Sequence, residues 1–457
     1  MRLLLVNYDD GATVSWFPLN LGYLAAAALE AGHEVDIWDQ AINHYPDSEL
    51  RETLDEQVYD VVGVGVTAGY YQYAKLLSLS RRINEATNRP LYIIGGHGPS
   101  PEPDYFLRKT GADIVCIGES ERTLVDILAG TPREQIGGIA YRESNRTVVN
   151  ERRPLLDVDN IPWPAWRHFN MGVYRLRRDP NASASDFVFP VLAGRGCSFK
   201  CSFCYRMDEG LRLRNIDSIL DEVDYLQNAY GVTYVRFADE LLMSSTARTL
   251  EICERIRERE MGFKWSCSGR LNFASPEVMQ AMRAAGCTFV NYGIEAMDDE
   301  VLRRMHKGLH VDIIIKGVEA TLAAGISPGL NIIWGNPGDS AETLNRAVEF
   351  LLKYDDQSQL RTIRPVTPYP GTELFDYAKQ SGLISGVAEF YEKAHVNSDL
   401  VSVPMIGLSA EEMHRMLLSA NTQLLQNYYA KLEEKALAQC ADLYLKGNAN
   451  FRGFRHS

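Results

Sequence analysis

Gly194-Arg195-Gly196-Cys197-Ser198-Phe199-Lys200-Cys201-Ser202-Phe203-Cys204 places three thiols at i, i+4 and i+7, directly after the apolar run Phe187 to Ala193. Thiolates are the usual ligands of iron–sulfur clusters, which normally take four of them. Three from one loop leave one iron without a protein partner, and an open coordination position marks a reactive metal site rather than a structural one. Two plainer readings compete: a zinc site that borrows a distant fourth ligand, and buried thiols acting as small hydrophobes. The apolar run reads as a buried strand, so the cysteines sit at its carboxyl end, where barrel folds carry their chemistry.

Downstream, the alternation continues with strand candidates Tyr234–Phe237, Lys264–Ser268, Phe289–Gly293, Gly329–Trp334 and Gln359–Thr367, separated by helical stretches such as Ile216–Ala229 and Asp312–Ala324. With Phe187–Ala193 these make six βα units, two short of a closed eightfold barrel, so an open partial (β/α)6 barrel of the TIM type is expected over 187–384. Upstream, residues 1–130 alternate strand and helix five times, with strands Leu3–Val6, Val35–Trp38, Val61–Val66, Leu91–Ile94 and Asp113–Ile117. That pattern predicts a doubly wound, Rossmann-like parallel sheet that binds ligands at its strand carboxyl ends. Loops fall there at Asn7–Pro18, Thr67-Ala68-Gly69-Tyr70, Gly95-Gly96-His97-Gly98-Pro99 and Gly118-Glu119-Ser120-Glu121. Glycines after strands let a large ligand approach the backbone, which alone fits any nucleotide or flavin domain.

Between the two halves, 131–186 reads as a connector: a hairpin at 139–149, then Pro154, Pro162 and Pro164 breaking regular structure, with Trp163, Trp166 and Tyr174 packing the seam. Residues 385–457 read as a helical region, strongest over Ser409–Tyr444, and are expected to cap the barrel mouth. The basic tail Lys446 to Arg455 reads as solvated.

Apolar content of 46% and charged content of 23% suit a soluble globular chain. No apolar run approaches the ~18 residues of a membrane span, and Met1 to Asn7 is too short for a secretory signal, so no membrane partner and a cytoplasmic location are expected. There the five other cysteines (116, 253, 267, 287 and 440) stay reduced. A net charge of -13 disfavours gripping nucleic acid by its phosphates.

The cysteine loop, with Phe203 directly before the third thiol, resembles the signature of radical S-adenosylmethionine (SAM) enzymes. The resemblance implies a 4Fe–4S cluster held by Cys197, Cys201 and Cys204, whose open iron takes the amino and carboxylate groups of SAM. It also implies roles at the strand ends: Asp239 and Glu240 toward the methionine ammonium, Ser268 and Arg270 toward its carboxylate, and Glu295 toward the ribose or amino group. Asn331 and Asn336-Pro337-Gly338 end the fifth strand, Asp339 and Ser340 read as helix caps, and Thr367 to Thr372 resembles the segment that closes the rim.

Pro18 to Ala26, Ala31 to Val35, Gly95-Gly96 and Gly118-Glu119 resemble the cobalamin-binding domain fused to many such enzymes, so that the likeness covers roughly residues 1–380. Two departures stand out: no Asp-x-His-x-x-Gly motif occurs anywhere, and Ser120 stands where glycine is common. The first implies cobalt with no histidine below it, and Thr67 or Tyr70 beneath the ring. His33, His44 and His97 are the domain's histidines, and His97 reads as a solvated loop residue.

The resemblance thus implies a cobalamin-dependent radical SAM enzyme, in the first place a methyltransferase. A 5′-deoxyadenosyl radical abstracts hydrogen from an unactivated carbon of a small molecule, methylcobalamin supplies the methyl group, and a flavodoxin- or ferredoxin-type donor supplies electrons. A cyclase, ring-contracting enzyme or oxidoreductase with both cofactors is the first rival. A tRNA methylthiotransferase is disfavoured by the acidic balance and the lack of a second three-cysteine set. A non-catalytic cobalamin carrier leaves the cysteine loop unexplained.

Overall fold

A computed structural model describes residues 1–9, 11, 16–67, 69–448 and 450. Parts of the Asn7–Pro18 loop, Ala68 and the basic tail beyond 450 lie outside the described residues.

Seven strands form the first sheet: β1 (Arg2–Asn7), β2 (Glu34–Asp39), β3 (Val61–Gly65), β4 (Leu91–Gly95), β5 (Ile114–Cys116), β6 (Ile139–Glu143) and β7 (Arg146–Val149). Their order is β2-β1-β3-β4-β5-β6-β7. The first five run parallel, as the near-continuous apolar runs predict for strands buried on both faces. The hairpin β6–β7 forms as expected but does not act as a linker: β6 pairs antiparallel with β5, Val115 opposite Ala140. Ile139, Ala140 and Tyr141 are buried there, so the sheet extends well past residue 130.

The connector's aromatics then make the seam. Phe17 packs against Trp166 and Phe169, each at 4.7 Å between ring centroids, against Tyr174 at 5.2 Å and against Phe189 of the next sheet at 5.1 Å. Trp163 instead rests on the surface beside Tyr225.

The second sheet holds β8 (Val188–Val191), β11 (Tyr234–Phe237), β12 (Lys264–Gly269), β13 (Cys287–Glu295), β14 (Ser327–Trp334) and β15 (Ile363–Pro365), all parallel and in that spatial order. Among the described residues β8 and β15 remain its two edges, giving the open six-stranded barrel the alternation predicts. One element was not foreseen. The stretch quoted at the outset starts as a strand, β9 (Gly194–Cys197), paired antiparallel with β10 (Gly210–Leu213).

The C-terminal helix spans Ala410–Lys446 and opens with a capping box between Ser409 and Glu412. It lies along the barrel's open edge, with Met413 in its first turns packed close to Gly335 at the carboxyl end of β14. Asn421 accepts from the Ile363 amide at 2.8 Å and donates to its carbonyl at 3.0 Å, pairing backbone that β15 leaves bare. Leu424 is the helix's last buried residue. Residues 385–409 are mostly irregular, and there Tyr391 stacks on Tyr73 of the first domain at 5.0 Å.

Candidate active site

The cysteine loop hangs from the β9–β10 ribbon, with Cys197 opposite Gly210. Gly196 makes the ribbon possible. Its φ is +83°, and a Cβ there would lie 2.1 Å from the Gly210 carbonyl oxygen. Backbone bonds pin the loop on two sides: the Ser202 amide donates to Met305 at 3.0 Å, and the Leu374 amide donates to Ser202 at 3.0 Å. The Arg270 guanidinium stacks on Phe199 at 3.5 Å, and its Nη1 lies 4.0 Å from the Cys201 sulfur. Lys307 Nζ sits 5.6 Å from the Phe203 ring.

All three thiols are free of disulfides. Among the described residues no three His, Cys, Asp or Glu side chains converge tightly enough to hold a metal as they stand. Cys197 and Cys201 are half-buried and Cys204 is exposed at its surface, while the protein packed around Cys204 pushes its thiol up to about 11. Ligation as thiolates would displace the thiol protons. Three free thiols on one loop, with two cationic side chains behind them, suit a thiolate-bound cluster of net negative charge.

The strand-end residues divide by what already holds them. Asp239 is buried, and both its oxygens accept from the Ala193 amide at 3.0 Å. Burial pushes its carboxyl up to about 7. It staples the end of β11 to the end of β8. Arg270 is likewise committed: besides the Phe199 stack it donates to the Lys307 carbonyl, so it does not stand free for a carboxylate. Ser268 is half-buried at the end of β12. Asn331 donates to Asn291 at 2.7 Å and to the Tyr292 carbonyl at 3.0 Å. Ser340 caps the following helix in a capping box, while Asp339 accepts from the amides of Gly335 and Asn336 at 3.0 and 2.9 Å. Glu295 adopts φ +71°, rare for a residue with a side chain, and is paired with Lys307. Gly293 clears the space, for a Cβ there would lie 2.2 Å from Glu295 Oε1.

Glu240 belongs to a different place, a cavity of 510 Å³ between the two sheets. At one end the cavity reaches the inner face of the first sheet, at Leu5, Gly63, Ile93 and Cys116. At the other it reaches Gly194–Gly196, Ala238 and Glu240. Gly95, Gly96, Gly118 and Glu119 line it, whereas Thr67 and Tyr70 lie outside. Gly65 pairs with Gly95 across β3 and β4, leaving a floor bare of side chains. Such a cradle accepts a flat, bulky group. The protein around Glu240 raises its carboxyl pKa by desolvation. Ser120 turns its hydroxyl back to the Gly118 carbonyl at 3.0 Å. His97 is exposed, as read, and also lines this cavity, edge to face with Tyr205 at 5.7 Å.

Comparison with known families agrees with both halves. The Radical SAM superfamily matches residues 191–351, and the B12 binding domain matches residues 11–128. The chain is a cobalamin-dependent radical SAM enzyme. An uncharacterized methyltransferase of Pyrococcus horikoshii is 29% identical over 377 residues, 80% of this chain and 79% of that protein. An anaerobic magnesium-protoporphyrin IX monomethyl ester cyclase of Rubrivivax gelatinosus is 24% identical over 82% of this chain and 69% of its own. Among solved structures, the radical SAM methyltransferase TsrM of Kitasatospora setae, with cobalamin and a [4Fe-4S] cluster bound, superimposes with a TM-score of 0.70 at 20% identity. That match covers 84% of this chain and 78% of TsrM and shows a shared fold.

For a radical SAM enzyme, two features escaped the sequence reading. Lys307 carried no signal beyond a His-Lys-Gly turn at 306–308, and its meaning appears only once β13 brings Glu295 beside it. Arg195 lay in a stretch read for its cysteines alone, and Arg212 lay just beyond that stretch, among residues given no reading.

Proposed function

We propose that this enzyme methylates an unactivated carbon of a small-molecule substrate, with electrons delivered by a flavodoxin- or ferredoxin-type donor. The observation that carries the reading is the single cavity running from the glycine floor of the first sheet to Glu240 and the ribbon that bears Cys197. One chamber thereby serves both the cobalamin end and the cluster end. When bound, the cluster and SAM supply radical chemistry, and cobalamin carries the methyl group. Cys197, Cys201 and Cys204 hold the cluster. Glu295, held in place by Lys307, takes a polar group of SAM. Glu240 faces the chamber where the substrate must lie between the two cofactors, and apolar Leu192 and Met207 help exclude water there. The similarity to methyltransferases over about four-fifths of the chain supports the transfer.

Mass spectrometry of anaerobic reactions with candidate substrates and deuterated-methyl SAM tests it. A product heavier by the labelled methyl group supports the reading. Converted product without label, with 5′-deoxyadenosine formed, sinks it in favour of the second reading, a non-methylating cyclisation or oxidation, which the similarity to the Rubrivivax cyclase favours. Among the described residues no helix is long and apolar enough to cross a membrane.

A further inference from the structure

The loop after β5 and the cysteine ribbon are joined by a closed set of charges. Glu119 accepts from Arg212 through both guanidinium nitrogens, Nη1 at 3.0 Å. Arg195 reaches Glu121 at 2.6 Å and Glu119 at 3.4 Å. The Glu119 amide donates to Asp208 at 3.2 Å, and Arg152 closes on the other Asp208 oxygen at 2.9 Å. Arg195 also lies over the ring of Tyr23, on the first helix of the cobalamin-binding domain, at 4.9 Å. The four central side chains, of Glu119, Glu121, Arg195 and Arg212, are each no more than 20% exposed.

Charge-assisted bonds of this kind, partly desolvated and mutually satisfied, are stiff as well as strong. Glycines let the two sides close up. A Cβ on Gly118 would lie 3.0 Å from Asp208 Oδ1, and Gly196 permits the ribbon itself. Every member of the set is either on the loop that lines the cobalamin end of the cavity or on the strands and turn that frame the cysteine loop, apart from Arg152, which braces Asp208.

We propose that Arg195, Arg212 and Glu119 are positioning residues that set the distance between the two cofactors. Glu119 thus acts through its carboxylate on the ribbon and not as a direct cobalamin contact. Chemistry passed between two bound groups depends on their separation, and a misplacement of about 1 Å can cost on the order of a hundredfold. The inference rests on the presence of both cofactors and not on methylation being the outcome.

The test uses full-length holoenzyme loaded with cobalamin and cluster, with iron and cobalt counted per chain. Electron paramagnetic resonance then reads how strongly the reduced cluster speeds relaxation of the cob(II)alamin signal, an effect that falls steeply with distance. In wild type the enhancement is expected to be present. Arg212→Ala is expected to keep both metals and lose the enhancement, and Arg212→Lys to restore much of it. Lys109→Ala, which cuts the separate interdomain pair with Glu392, is expected to leave it unchanged. If Arg212→Ala does not hold both metals, Glu121→Gln gives the answer, with a weakened enhancement expected. Full enhancement in either variant with both metals bound would overturn the proposal. A wild-type protein that binds only one of the two metals would overturn the two-cofactor reading together with it.

Discussion

Lys307 donates to Glu295 at 2.9 Å, and their side chains are only 8% and 10% exposed. An ion pair this dry is costly to break on one side, because the remaining charge stays buried without a partner. Lys307→Met is therefore expected to destabilise the fold by about 3–5 kcal/mol in urea denaturation. Adding Glu295→Gln to it is expected to recover a large part of that loss. Equal losses in the single and double variants would show that the pair is not the source of the effect.

The cluster assignment has a direct control within the same chain. Replacing Cys197, Cys201 and Cys204 by Ala is expected to abolish iron binding after anaerobic reconstitution, where wild type takes about four irons. The trio Cys253, Cys267 and Cys287 is buried away from the cysteine loop's own sequence, on one helix and two strands of the barrel, and its replacement by Ala is expected to leave iron content intact. Iron analysis of both variants decides the matter.

Gly196→Ala tests the ribbon without touching a ligand. With φ at +83° and the Gly210 carbonyl in the way, the added methyl must push the two strands apart. Iron content after reconstitution is expected to drop well below wild type while cobalamin binding persists. Normal iron content in Gly196→Ala would mean that the ribbon does not hold the loop.

His395 should make the protein acid-sensitive. It is fully buried, stacks on Phe390 at 5.0 Å, and among the described residues neither ring nitrogen has a partner. Burial pushes its pKa down to about 4. The unfolded chain takes up that proton near pH 6.5, so between about 6.5 and 4 the unfolded state binds more protons and stability falls as pH falls. Above that window the group contributes no pH dependence. The full effect is about 3 kcal/mol, and His395→Phe is expected to flatten it in denaturation curves measured from pH 7 to 4. A variant as acid-sensitive as wild type would refute the assignment.

The cob(II)alamin spectrum reports on His97. Although the ring faces the cavity, it packs edge to face on Tyr205. No nitrogen superhyperfine splitting is expected, and none should be lost in His97→Gln. Splitting that disappears in that variant would make His97 the lower ligand of cobalt.

Local patterns were legible in the sequence. The three cysteines lie within eight residues, so their spacing survives without any knowledge of the fold, and apolar runs exposed eleven of the strands. Features made by distant residues were not. Glu295 meets Lys307 only through the turn after β13, and Asn421 finds Ile363 across 58 residues. β9 and β10 were missed because glycines and arginines fill them, where strand propensity looks for branched and aromatic residues. The expected roles of Arg270 and Asp239 followed from position at a strand end, which says nothing about neighbours that had already claimed their polar atoms.

The hairpin β6–β7 also dictates where this chain can be cut. A fragment ending at residue 130 would strip the partner from Ile114–Cys116 and offer bare backbone to other molecules, an invitation to aggregate. Anyone isolating the cobalamin-binding half should carry it at least to Asn150, whose amide bonds back to Ile139 at 2.9 Å and whose side chain ties down the Ile136 carbonyl at 2.7 Å.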